Sequence, residues 1–209
     1  MGEGSGIVPA RQKRTRASWE RVLDEGVALL ESGGYAALTI GALCARAGVT
    51  APTIYARAGN KEQLLLAVYE RAMDRIRADD VLDPGDPRWA AAPPAQVVRD
   101  AVGAVAALWL GHAAVLRAIV HRAATDDEVR RRGSVGSRDL ARRFRQVLLT
   151  HAGIAAADAD TCFRVVYAAL VQRVVYGPGF ESELEVDEAA FTRSLTDVAL
   201  RYLQIEEGT

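Results

Sequence analysis

Cysteine is scarce in this 209-residue sequence: Cys44 and Cys162 stand far apart, with no CxxC pair. That excludes a disulfide framework and suits a reducing compartment. No uncharged apolar run reaches the roughly 18 residues of a membrane-spanning helix. The opening MGEGSGIVPARQKRTR has no apolar block behind its basic residues, so no secretory leader is expected and the chain is placed in the cytoplasm. His112, His121 and His151 are too dispersed for a local metal-ligand pattern, so neither a metal nor a cofactor is expected. The sequence has no P-loop, no GxGxxG and no nucleophile–base pattern, which leaves no catalytic residue to name. An excess of either charge is also missing. The 26 Lys and Arg balance 27 Asp and Glu, a net charge of −1 that by itself argues against a nucleic-acid partner. What is abundant is apolar: 50% of residues are hydrophobic, enough to fill a core and exclude wholesale disorder.

The charge average hides an asymmetry. Residues 1–78 hold 11 basic against 8 acidic residues, +3, whereas 79–209 hold 15 against 19, −4. Four of the basic residues crowd into RQKRTR at 11–16. Such a run is either a solvated tail or an arm for DNA phosphates and the minor groove.

Helical spacing dominates the chain. Trp19, Val22, Leu23, Leu29 and Leu30 form one stripe with Gly26, opened by Ser18 as N-cap and closed by Gly33-Gly34. Thr39 caps a short helix ended by Gly48. Thr50 caps another, with Pro52 in its first turn, ended by Gly59. Asn60 and Gln63 form a capping box for a longer helix through Leu64, Val68, Met73 and Ile76. Residues 79–94 contain Pro84, Pro87, Pro93 and Pro94 and read as a connection. Helices are then expected from Ala95 to Leu110 and around Leu116 to Val120. A further helix starts at a Thr125/Glu128 capping box, kinks near Gly133–Gly136 and continues to His151. The last two run from Asp160 to Tyr176 and onward from Asp187. No segment alternates convincingly with period two, so the fold is expected to be all-α.

Two turns of helix, a glycine turn and two more turns of helix have the size of a helix-turn-helix. Ala45, Gly48, Val49 and Ile54 support this reading: a small residue for close crossing, a glycine for the turn, and two aliphatic fillers. In such a unit the second helix enters the major groove while helix starts and flanking side chains hold the backbone. The candidate DNA-binding residues are Arg14 and Arg16 in the arm, Thr39 and Thr50 at helix starts, and Ala51, Pro52, Thr53, Tyr55 and Arg57 on the second helix. Lys61 opens the helix that follows.

Residues 38–65, LTIGALCARAGVTAPTIYARAGNKEQLL, together with the preceding WERVLDEGVALLESGGY, resemble the DNA-binding domain of the TetR family of bacterial transcriptional regulators. The resemblance is carried by Thr39, Ala47-Gly48-Val49, Thr50, Thr53, Tyr55, Lys61, Glu62 and Leu64. Two positions depart from it: Ala58 stands where the family usually has an aromatic, and Arg57 where His or Tyr is common. The resemblance implies that Thr53 or Tyr55 touches phosphate or a thymine methyl and that Lys61 clamps the backbone. It also implies a division into a flexible basic arm (1–17), a three-helix DNA-binding domain (18–60), a connecting fourth helix (61–78) and a helical effector-binding and dimerisation domain (79–209). The implied function is a repressor, released from a palindromic operator by a small molecule. A DNA-binding regulator without an effector is the alternative.

A dimer would use the last two helices, with Leu170, Val174, Phe191, Leu195, Val198 and Tyr202 as candidate interface residues. An effector cavity between the middle helices would draw on Trp109, His112, His121, Phe144, Tyr167 and Arg173. One rival comes from another class. Asp79-Asp80-Val81-Leu82-Asp83 spells DDxxD, resembling the Mg-diphosphate motif of all-α prenyl-diphosphate enzymes. It occurs once and runs directly into Pro84, which favours a loop.

Overall fold

The computed structural model describes residues 10–151, 153–180 and 182–206, with side chains from residue 15 onward. The described residues form ten helices and no strand. They divide after Arg75 into two compact units.

The first unit begins with α1 (Ala10–Ala37), broken internally at Gly33 and Gly34. The helix starts eight residues before Ser18, which is therefore not its cap; the Ser18 hydroxyl instead accepts from Arg21. Residues 10–17 of the expected flexible arm are thus helical, while residues 1–9 lie outside the described residues. The cause is local: Ala, Arg, Gln and Lys lose little side-chain freedom in a helix, and Arg16 pairs with Glu20 one turn on at 2.9 Å. Next come α2 (Ile40–Ala47), α3 (Ala51–Ala58) and α4 (Lys61–Ala78). Val22, Val27, Leu30, Leu38, Leu43, Ile54, Leu64 and Val68 fill the core of this unit. A Cβ on Gly26 would sit 2.5 Å from a Val68 methyl, so α1 and α4 approach as closely as only glycine permits. Polar pairs reinforce the same helix pair. Asp24 on α1 accepts from Arg71 (2.7 Å) and Arg75 (2.7 Å) on α4.

In the second unit the proline-rich connection is pinned rather than loose. It contains one short helix, α5 (Arg88–Ala91), whose Trp89 is buried and donates its indole N–H to the Asp83 carbonyl at 2.6 Å. Then follow α6 (Pro94–Gly111), α7 (Ala113–Ala123), α8 (Asp127–Leu148), α9 (Ala156–Tyr176) and α10 (Glu188–Tyr202). Helix α6 is the axis of this unit. It packs against α7, α8, α9 and α10, and buries Val98, Ala101, Val102, Val105 and Trp109. Helices α6 and α7 meet at an 81° bend. Among the described residues no single helix is long and apolar enough to cross a membrane.

Two expectations for α8 are corrected. Its cap is Asp126, not Thr125: the Asp126 carboxylate accepts from the Glu128 and Val129 backbone N–H groups, whereas the Thr125 hydroxyl donates backward to the Arg122 carbonyl. Two adjacent polar residues competed for one cap, and the carboxylate matches the positive end of the helix better. Nor does the helix kink at Gly133–Gly136; it runs unbroken and ends at Leu148, short of His151. Each glycine costs roughly 1 kcal/mol. Ion pairs of Glu128 with Arg131 and Arg132 before them, and of Asp139 with Arg142 and Arg143 after them, hold the helix straight through.

Candidate nucleic-acid interface

The helix-turn-helix is built around its apolar side. Leu43 and Ile54 are fully buried and Ala47 nearly so, which fixes the crossing of α2 and α3. Gly48 makes the turn with φ 66° and ψ 38°, a left-handed conformation that costs a residue with a Cβ; its N–H and that of Val49 both return to the Cys44 carbonyl. The Thr39 hydroxyl accepts the Ala42 N–H at 3.1 Å, the expected cap of α2. Thr50 occupies the cap position of α3 but makes no capping hydrogen bond. Its hydroxyl instead lies 2.9 Å from the Thr53 hydroxyl. Asn60 accepts the Gln63 N–H at 2.8 Å and caps α4.

With Ile54 pointing inward, the rest of α3 faces out. Pro52, Thr53, Ala56 and Arg57 are exposed, Ala51 is half-buried, and Tyr55 is 41% exposed although its ring is apolar enough to bury. Lys61 is exposed at the first residue of α4. The helix thus presents a hydroxyl pair, a phenol and a guanidinium on one element no wider than a major groove. Arg16 is exposed on α1, while the Arg14 side chain lies outside the described residues. Arg46 pairs with Glu25 at 2.6 Å and faces α1.

Sequence reasoning missed the companion of Arg57. Its guanidinium lies over the Trp19 ring, 5.8 Å from the centroid, beside a cleft of about 210 Å³ that Trp19, Val49, Thr53 and Arg57 help to line. The available signal was that Trp19 sits at the margin of the α1 stripe, where a large ring is only half-covered.

The family model described as "Bacterial regulatory proteins, tetR family" matches residues 22–68, the span that holds α2, α3 and the turn between them. Residues 22–68 are a TetR-family DNA-binding domain. That domain is the DNA-binding part of a family of bacterial transcriptional regulators. Solved structures of similar fold include a transcriptional regulator from Rhodococcus sp. Rha1, with TM-score 0.68 and 17% identity, covering 88% of this chain and 95% of that one. A TetR-like transcriptional regulator from Rhodococcus sp. RHA1 gives 0.64 and 19%, covering 96% and 100%. A TetR transcriptional regulator from Agrobacterium tumefaciens gives 0.57 and 20%, covering 90% and 93%. At these identities the likeness is one of fold. No curated protein matches the chain.

In the second unit the candidate effector residues separate. Trp109, Phe144 and Tyr167 come together through Phe163, which the sequence reading had not assigned to a site. Trp109 meets Tyr167 edge-on at 5.1 Å, and Phe163 lies 5.5 Å from both Phe144 and Tyr167. The Tyr167 hydroxyl is 2.6 Å from the Ser137 hydroxyl, and burial raises its pKa above the ordinary phenol value. The other three are elsewhere: His112 is bound to Asp79 at 3.0 Å, and His121 is exposed on α7. Arg173 is buried, donates to the Val186 carbonyl and covers the Phe191 ring at 4.8 Å, which makes it an anchor for the chain after α9.

The candidate interface residues divide as well. Leu170, Val174 and Leu195 are buried inside the unit, so as partner contacts they are corrected: they fill its own core. Phe191 is half-buried under Arg173. Val198 (51% exposed) and Tyr202 (45%) remain outward, and Val165 on α9 joins them.

The DDxxD carboxylates are engaged in the fold. Asp79 holds His112, Asp80 pairs with Arg143 at 2.7 Å and accepts the Leu82 N–H, and Asp83 accepts the Gly85 N–H. Among the described residues no group of three potential metal ligands converges.

Proposed function

We propose that this regulator acts as a homodimer on a palindromic operator, as a repressor released by a small molecule bound in the helical unit of residues 79–209. The observation that carries the DNA side of the reading is the exposed set on α3, gathered around the buried Ile54 anchor. Thr53 and Tyr55 meet backbone phosphate or a thymine methyl, and Ala51 and Pro52 offer apolar surface at the helix tip. Arg57 reaches phosphate or a guanine edge, while Thr39, Thr50, Lys61, Arg14 and Arg16 hold the backbone. One such unit covers a half-site. Two-fold symmetry places a second recognition helix about 34–36 Å away, or at a multiple of that distance.

The exposed apolar residues of the last two helices support the dimer, and the Trp109–Phe163–Tyr167 cluster with its Ser137 hydroxyl supports an apolar effector with one hydrogen-bonding group. Such an effector must prefer the state whose recognition helices are wrongly spaced. By linkage, operator DNA then weakens effector binding by the same factor. Titrating operator duplex with Thr53→Ala and Tyr55→Ala variants tests the DNA side. Lost affinity with intact helical circular dichroism supports the assignment, whereas unchanged affinity contradicts it.

A further inference from the structure

The cleft of about 210 Å³ in the first unit joins α3 to the N-terminal half of α1. Trp19 and Val49 give it apolar surface, Thr15, Ser18 and Thr53 give it hydroxyls, and Arg57 gives it a cation. None of its lining residues is acidic. Glu20, the acid nearest to Trp19 in sequence, is taken by Arg16 at 2.9 Å. The Ser18 hydroxyl accepts from Arg21 at 3.1 Å and so keeps its own proton to donate. Arg57 makes no ion pair among the described residues. Its guanidinium is held by the Trp19 ring, 5.8 Å from the centroid.

The places of these side chains around α3 decide what they can meet. At about 100° per residue, Pro52 and Ala56 lie farthest round from the buried Ile54 and face the floor of the groove. Thr53 and Arg57 share the flank turned to α1, and Tyr55 lies on the other flank. A cation on the flank of a helix seated in the major groove meets the sugar–phosphate wall before it meets a base edge. We infer that the cleft is a backbone seat: it takes one phosphate of the operator, with Arg57 as its cation and Trp19 as the positioning residue that fixes where that cation stands. Hydroxyls beside a guanidinium match the oxygens of a phosphate, and a lining without carboxylates does not repel it. The seat is continuous with the exposed face of α3, because Thr53 and Arg57 belong to both. A phosphate contact carries no sequence information itself but fixes register and orientation, so Trp19 acts on base preference indirectly. The inference rests on the proposed DNA reading by α3, and its test separates the two.

The full chain is titrated with operator duplex over a salt series, a neutral methylphosphonate replacing each phosphate in turn. Arg57→Gln is expected to weaken binding about tenfold per subunit bound and to make the log–log salt slope shallower by about 0.9. At one phosphate per half-site the methylphosphonate costs the wild type about as much, and costs Arg57→Gln little more. Trp19→Leu leaves the salt slope unchanged, because the charge remains, yet lowers affinity roughly threefold, weakens that coupling and broadens base preference. Trp19→Phe keeps an aromatic face and restores most of the loss, with helical circular dichroism retained throughout. An unchanged slope in Arg57→Gln, with preference lost at a single base pair, makes Arg57 a base reader and overturns the seat. Wild-type affinity and coupling in Trp19→Leu overturn its positioning role. A wild type that selects no duplex overturns the DNA reading and the seat together.

Discussion

Single residues decide whether the reading head keeps its shape. Gly26 is the clearest case, because any Cβ there meets Val68 at 2.5 Å. Gly26→Ala forces α1 away from α4 and is expected to destabilise the first unit by roughly 1–3 kcal/mol, read as a lowered thermal midpoint. On the outer side the expectation reverses. Tyr55 contributes little to the core, so Tyr55→Ala leaves the midpoint nearly unchanged while operator affinity falls, and a gel-shift titration beside a melting curve separates the two effects. Trp19 lies between these cases. Its ring carries the Arg57 guanidinium, so Trp19→Leu is expected to keep the fold, loosen Arg57 and broaden base preference in a binding-site selection.

At the scale of elements, the pairing of α1 with α4 gives the first unit a pH dependence of definite sign. The hydrogen bond from Arg71, helped by Arg75 and opposed by partial burial, holds the Asp24 carboxyl below its ordinary value of 3.8. A carboxylate depressed in the folded state stabilises above its unfolded value, and that contribution is lost as pH falls through the folded one. Stability of the first unit is therefore expected to decline below about pH 4, and Asp24→Asn to flatten that decline in urea titrations across pH. Glu128 on α8 behaves in the same direction, lowered to about 2 by Arg131 and Arg132, but it is half-exposed and its pairs are screened by salt.

Elements also show what periodicity could and could not convey. Helices bounded by one clear cap and one glycine, such as α2 and α3, were legible from sequence because Thr39, Gly48 and Gly59 each have a single local role. The start of α1 was not, because a basic run ahead of an apolar stripe reads equally as arm or as helix until its pairs are placed. The course of α8 was misread for a related reason. Its glycines are local signals of weakness, whereas the arginine–carboxylate pairs that override them become visible only when the helix is built.

For the whole molecule, charge divides unevenly: residues 1–78 carry +3 and residues 79–209 carry −4. The first carries the basic, outward-facing residues, and grip by a part with an excess of only three positive charges is modest. Affinity is expected to fall with salt at about −0.9 in log–log slope per phosphate neutralised, and a slope near zero would argue against a phosphate-held complex. The candidate sites in the second part were only half legible. Apolar residues surround α9 on most sides, so spacing alone could not divide Leu170 and Val174, which serve the unit's own core, from Val165, which faces out. Arg173 shows the same limit: its chemistry suited a ligand, but its position gives it to Val186 and Phe191. The aromatic cluster was readable in Trp109, Phe144 and Tyr167 and needed the fold to add Phe163.

Specific DNA reading by a two-fold pair of α3 helices is tested most directly by selecting bound duplexes from a random pool with the full chain. The expected result is one enriched palindrome whose half-sites are about one helical turn, or a multiple of it, apart, lost with Thr53→Ala or Tyr55→Ala. Recovery of no shared sequence, or of a single unrepeated site bound equally well by those variants, would contradict it.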